Sequence, residues 1–245
     1  MELIVIGSSS KGNCYLLKGK TETLILEAGV SLKEVKKALD FDLSSVVGCL
    51  ASHEHGDHFG KAKEFVAAGI DIYTGFGTIK KSGIESHRLH IAKHAVMINI
   101  GQFQIAPFNV VHDCVEPLAF LIKHHECGLI MFVTDTHYIP FKIPGLNNCL
   151  CEVNYDINIT NENIANGASQ SVRDRVLETH MELSTFCDFL KYNDTSMLNN
   201  VVLLHLSDGN SNAKQFKQTV EQVIPGKQVW VADKGMSINL DKTPF

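Results

Sequence analysis

The sequence predicts an α/β fold: two mixed sheets packed face to face with helices outside. Three observations carry this reading. Short apolar runs broken by Gly, Lys and Ser fill the first half of the chain, and strand-like and helix-like runs alternate in the second. Several of the apolar runs end on a histidine or an acidic residue. No internal repeat, low-complexity run or Pro/Ser-rich linker divides the 245 residues, so one domain over 1–245 is expected.

The elements follow in order. ELIVIGS, CYLLKG and ETLILEAG read as an antiparallel meander. SLKEVKKALDF changes to helical spacing, with Leu32, Val35 and Leu39 on one face and Ser31 and Glu34 as a capping box. SVVGCLAS is a buried-type strand running into HEHGDH, and FGKAKEFVAA is the helix after it. DIYTG, HAVMINI, FQIAPFNVV, LAFLIKH and GLIMFVT supply further strands. NNCLCEVN is a strand, with Cys149 and Cys151 on one face in a core role. SVRDRVLE and STFCDFLKY are helices, NVVLLHLS a strand, AKQFKQTVEQV a helix, and KQVWVAD and MSINL closing strands. The polar stretch from Asn158 to Gly167 reads as a loop. GSSSKGN, at residues 7–13, lacks P-loop spacing and reads as a hairpin connection whose Ser or Asn can touch substrate.

Composition narrows the function classes. At 44% hydrophobic and 20% charged the chain is ordinary globular material. No apolar run approaches the roughly 18 residues of a membrane span. An acidic second residue and no basic n-region argue against a secretory signal. Seven scattered cysteines without a CxxC pair fit a reducing, cytosolic compartment. The net charge of −5 and the absence of a basic block weigh against a grip on long nucleic acid, since phosphate neutralisation supplies most of such affinity. Twelve histidines direct attention to metal ligands.

His53, His55, Asp57 and His58 follow the strand ending near Ser52, His112 follows FNVV, Asp135 follows GLIMFVT, and His205 follows VVLL. Side chains at the ends of different strands can converge on one sheet edge. Neutral imidazoles and carboxylates are the set that zinc takes when thiolate is absent. Crowding them without a metal costs desolvation and charge repulsion, whereas one or two dications make them mutually compensating. His53 and His55, two apart in an extended segment, point the same way, and Gly56 lets the chain turn so that Asp57 and His58 face a second position. His87, His90, His94, His124, His125 and His137 read as exposed or loop histidines, with His137 near enough to Asp135 to line a pocket.

The HxHxDH segment resembles the hallmark of the metallo-β-lactamase superfamily, and the resemblance extends over essentially the whole chain. ILEAG resembles the family strand that ends in an acidic residue and glycine, with Glu27 where Asp is commoner. The resemblance implies an αββα sandwich with the site at the sheet edge. It implies two divalent ions, zinc foremost with manganese also accepted. His53, His55 and His112 then hold one, Asp57, His58 and His205 the other, and Asp135 bridges them. THMELS at 179–184, ahead of HLS at 205–207, resembles the RNase Z and YycJ/WalJ branch, as does GSSSKGN. By that likeness His180 is a non-ligand group that protonates the leaving oxygen, Glu152 accompanies it, and Asp57 helps orient or deprotonate the attacking water. A surface helix-cap role is the alternative for His180, and a structural ion pair for Glu152.

A two-dication site serves esters, amides or phosphodiesters alike. The second histidine segment favours phosphodiesters. Neither the basic exosite arm of tRNA-processing relatives nor room for a β-CASP insert is present, which favours a small substrate. Among compact members the chain resembles the phage and bacterial anti-Pycsar proteins, which implies cyclic mononucleotides as substrate and a cytoplasmic homodimer. A YycJ/WalJ-like nuclease, a glyoxalase II-like thioesterase and a non-catalytic metal-bound sensor are the other readings.

Overall fold

The computed structural model describes residues 1–243, so the last two positions of the expected domain lie outside the described residues. Strands β1 (Glu2–Gly7), β2 (Cys14–Lys18) and β3 (Thr23–Leu26) form the expected antiparallel meander. Helix α1 (Leu32–Ala38), β4 (Val46–Leu50), α2 (Gly56–Phe59), α3 (Ala62–Ala67), β5 (Ile72–Thr74), α4 (Phe76–Ser82) and β6 (Leu89–Ile91) follow, with β3 to β6 mutually parallel. The antiparallel run β7 (Ile98–Ile100), β8 (Phe103–Asn109), β9 (Leu118–His124) and β10 (Gly128–Val133) opens a second sheet. Strand β11 (Asn148–Glu152) continues it in parallel. Then come α5 (Ile157–Ala165), α6 (Gln170–Thr179), α7 (Leu183–Tyr192), β12 (Asn200–Leu204), α8 (Ala213–Val223), β13 (Gln228–Val231) and β14 (Ser237–Asn239).

Each sheet has seven strands, in the orders β14-β1-β2-β3-β4-β5-β6 and β13-β12-β11-β10-β9-β8-β7. The closing strand β14 crosses back to pair with β1. Alternation along each strand builds three apolar layers. Leu3, Val5, Leu24 and Leu26 meet Ile105, Phe120, Ile130 and Phe132 between the sheets. Ile25, Leu32, Val35 and Phe65 seal one outer face. Met131, Cys149 and Cys151 seal the other with Phe186 of α7 and Phe216 of α8, so both cysteines face one way, into core. This is the two-sheet α/β sandwich that the sequence predicts. No described helix is long and apolar enough to cross a membrane.

Several local expectations are corrected. Ser31 precedes α1 without a side-chain cap bond: the Glu34 N–H goes to the Ser31 backbone carbonyl at 3.0 Å, the Glu34 carboxylate pairs with Lys37 at 2.8 Å, and Glu64 Oε2 accepts the Leu32 N–H at 3.0 Å. The loop expected over 158–167 is largely helix α5, started by Asp156, whose Oδ1 accepts the Asn158 N–H at 2.7 Å. That N-cap outweighs a run of weak helix formers. FGKAKEFVAA is divided between α2 and α3, HAVMINI shortens to three paired residues, and α4 and β6 lie between DIYTG and HAVMINI, where the sequence suggested no element.

Candidate metal centre and active site

The polar groups gather where β4, β10, β11 and β12 end, together with the loop after β8. This is the carboxyl edge of parallel strands, where open α/β sheets leave a crevice. Three residues at strand ends adopt left-handed backbone: Glu27 (φ 68), Asp135 (φ 43) and His205 (φ 50). For non-glycine residues this conformation costs about 1–3 kcal/mol each, and it breaks strand alternation so that the side chain turns into the crevice.

In HEHGDH, His53 and His55 share a direction, with His53 Nε2 3.0 Å from His55 Nδ1. The turn that follows is helical: α2 begins at Gly56, which has ordinary φ and open space around it, so glycine's special freedom is not what reverses the chain. Asp57 and His58 ride on α2 and face a second group, with His58 Nε2 3.3 Å from Asp57 Oδ2. His112 Nε2 lies 3.2 Å from His55 Nδ1. Asp135 Oδ2 lies between the groups, 3.5 Å from His112 Nε2 and 3.2 Å from His58 Nε2. His205 completes the second group, its Nε2 3.5 Å from Asp57 Oδ2 and its Nδ1 2.7 Å from Asp135 Oδ1. All seven residues named from sequence therefore come together, in two clusters that could hold a divalent cation, His53/His55/His112/Asp135 and Asp57/His58/His205.

The donor chemistry fits a cation. His112 Nδ1 donates to the Thr179 carbonyl at 3.0 Å, so a neutral ring presents a bare lone pair at Nε2, facing another ring nitrogen. Ring nitrogens 3.0–3.2 Å apart match the about 3.3 Å edge of a tetrahedron whose nitrogens sit about 2.0–2.1 Å from zinc. Burial pushes the His53 and His112 imidazoles down, which favours the neutral, ligating form. Burial acts on His58 and His205 too, but the Asp135 carboxylate beside them prevails and raises both. Burial likewise pushes Asp135 up, and the His205 and His58 charges more than offset it, holding Asp135 well below the usual carboxylate range.

Beside the clusters, Glu152 Oε1 lies 2.6 Å from His180 Nδ1 and 3.3 Å from His205 Nδ1, while Glu152 Oε2 accepts the Thr136 N–H at 3.0 Å. Glu152 is fully buried. His180 caps the C-terminus of α6 with extended backbone and also lines the cavity, so the helix-cap position and a place on the cavity wall coincide in one residue. Burial opposes a charge on His180, but Glu152 outweighs it and raises the imidazole above its ordinary value. The cavity, about 420 Å³, is lined by Ser10, His55, Asp57, Arg175, Val176 and His180 among others. A larger hollow of about 820 Å³ lies across the Ser8–Lys11 loop and holds none of the seven candidate ligands.

Some contributors were not singled out in the sequence. Asn13, fully buried, places Nδ2 3.3 Å from Asp57 Oδ2 and 3.1 Å from His58 Nε2. Its only signal was the GSSSKGN loop, of which Ser10, not Asn13, lines the cavity. Glu27, which the sequence did single out in ILEAG, steadies the same edge: Oε2 accepts the Ser52 N–H at 3.3 Å and lies 3.6 Å from His58 Nδ1. Glu54, between the first two histidines, turns away and accepts the Val115 N–H at 2.9 Å, fixing the loop that carries His112. His137 is half-buried and does not line the cavity. His124, expected exposed, is buried on β9, 3.3 Å from Glu22 Oε1, because strand alternation turns it inward at that position.

A model of the metallo-beta-lactamase superfamily matches residues 9–125. Exodeoxyribonuclease YycJ of Bacillus anthracis is 26% identical over 246 residues, covering 94% of this chain and 91% of that protein. The metallo-beta-lactamase fold protein YhfI from Bacillus subtilis superposes with a TM-score of 0.73 at 15% identity, over 97% of this chain and 99% of that one. Human tRNase Z, short form, does so with a TM-score of 0.62 at 14% identity, over 98% and 99%.

Proposed function

We propose that the chain is a member of the metallo-β-lactamase superfamily and a metal-dependent phosphodiester hydrolase whose substrate is a cyclic mononucleotide. The observation that carries the proposal is the Glu152–His180 pair, 2.6 Å apart and set against both ligand clusters. Departure of an alkoxide from phosphorus calls for a proton, whereas a thiolate leaves without one; a proton donor beside the ligands therefore favours phosphodiesters over thioesters.

Two divalent ions, zinc foremost, held by the seven residues would acidify water and neutralise charge on phosphoryl oxygens. The chain's own groups do the rest. Glu152 takes the Nδ1 proton of His180 as a hydrogen bond, which keeps the ring cationic and turns Nε2–H toward the departing oxygen. Asp57 lines the cavity with its carboxylate held by His58 and Asn13, where it can orient the attacking water. The cavity of about 420 Å³, covered on one side by α6, suits a single nucleotide. The net charge of −5 also disfavours a long polyanion. A second reading, removal of nucleotides from DNA ends, is favoured by the likeness to Exodeoxyribonuclease YycJ along 94% of the chain.

The test is to incubate purified protein with zinc or manganese against cyclic CMP, cyclic UMP, bis(p-nitrophenyl) phosphate, single-stranded DNA and a thioester. Cyclic nucleotide turnover is expected. DNA cleavage with cyclic nucleotides untouched selects the second reading, and thioester turnover alone defeats both. His180→Ala is expected to lose about 100-fold or more in kcat while retaining metal; loss of metal as well would make His180 a ligand instead.

A further inference from the structure

On the reading of this site as a phosphodiester-hydrolysing centre, we propose that Arg175 grips the substrate's phosphate, aimed by Asp113. Helix α6 forms one wall of the cavity, and Val172, Arg175 and Val176, three and four apart, share the helical face that lines it. Arg175 is the one Lys or Arg among the described residues lining that cavity. Its partners on the cavity wall include the carboxylates Asp57 and Asp135 and the histidines of both clusters, so a guanidinium supplies a permanent cation facing them.

The direction of that cation is set. Arg175 Nε donates to Asp113 Oδ2 at 2.8 Å, and Asp113 Oδ1 lies 3.2 Å from His112 Nε2. The guanidinium is thus one carboxylate away from a ligating nitrogen. No hydrogen bond is made by Nη1 or Nη2 to the described residues, which leaves the fork that matches two phosphate oxygens. Stability gives little reason for the pair: Arg175 is 62% exposed, and exposed ion pairs contribute little. Its place beside the cavity does. The backbone also ties this wall to the centre, since α6 ends by giving the Thr179 carbonyl to His112 and His180 to Glu152.

The test compares zinc-loaded wild type with Arg175→Ala, Arg175→Lys, Asp113→Ala and the Arg175→Ala/Asp113→Ala double variant. The substrates are cyclic CMP and bis(p-nitrophenyl) phosphate, at low and high salt. Calorimetric binding of CMP gives a readout independent of turnover. Arg175→Ala is expected to raise KM about tenfold, with kcat within about threefold and zinc content unchanged. CMP affinity should fall in parallel. Arg175→Lys should recover part of the loss, as a point charge without the fork. KM of the wild type should rise with salt more steeply than that of Arg175→Ala. Asp113→Ala should raise KM alone yet add nothing in the Arg175→Ala background. An unmoved KM in Arg175→Ala, with active wild type, overturns the assignment of Arg175 and leaves the phosphodiesterase reading standing. A wild type that turns over neither substrate overturns that reading and this proposal with it.

Discussion

A buried imidazole gives up its charge unless a partner holds it, and for His180 that partner is Glu152, 2.6 Å from Nδ1. The raised value has a kinetic consequence whose sign follows directly. The proposed role needs protonated His180, so activity persists above the ordinary imidazole range of about 6.5 and falls as pH passes the raised value. In Glu152→Gln the amide keeps the shape but not the charge. The alkaline limb of kcat/KM is then expected to move to lower pH, with metal content unchanged, in a pH–rate profile. A limb that stays in place would remove His180 as its origin. At this scale the metal-type residues were legible, because a ligand must be His, Asp or Glu and HxHxDH announces four at once. Asn13 and Arg175 were not, because amides and arginines occur throughout surfaces and nothing in their spacing marks a site.

The residues just before β2 and just after β3 meet the HEHGDH segment through main chain as well as side chain. Asn13 N–H donates to the Asp57 carbonyl at 2.7 Å, Ala28 N–H to the His58 carbonyl at 2.8 Å, and Gly29 N–H to the Asn13 carbonyl at 3.1 Å. The glycine of ILEAG is explained here: a Cβ on Gly29 would lie 1.7 Å from the Asp57 carbonyl oxygen. Backbone against backbone cannot yield as a flexible side chain does. Gly29→Ala is therefore expected to push α2 and its two candidate ligands outward, costing about 1–3 kcal/mol or more. Zinc stoichiometry of the purified variant, by elemental analysis, should drop below that of wild type. Retention of the full metal complement would show that the segment closes over the clash. The misreadings at this scale have local causes. The Glu34 N–H that the Ser31 hydroxyl was expected to accept goes to the Ser31 backbone carbonyl instead, and Asp156 starts a helix in a stretch too polar to show helical periodicity.

Across the whole molecule, the two sheets bring together ligands from opposite ends of the chain, His53 and His205 among them, and a cation bound among them binds only the folded state. Such linkage stabilises by about 4 kcal/mol at a thousandfold excess over Kd, worth roughly 8–16 °C in Tm for a chain of this size. Chelation is accordingly expected to lower Tm on that scale, and zinc to restore it, by calorimetry. An unchanged Tm would mean that the clusters hold no cation with appreciable affinity. The sequence by itself determined the layered α/β class and named the seven candidate ligands, because alternation and metal chemistry each need particular residue types at short spacing. The family likeness had paired Glu152 with His180, but only the tertiary structure decided that they meet at 2.6 Å, that Asn13 steadies Asp57, and that Arg175 stands over the cavity beside Asp113. Those partners lie 28, 44 and 62 residues apart, and each meeting depends on how β-strand ends and α6 converge, which no local pattern encodes.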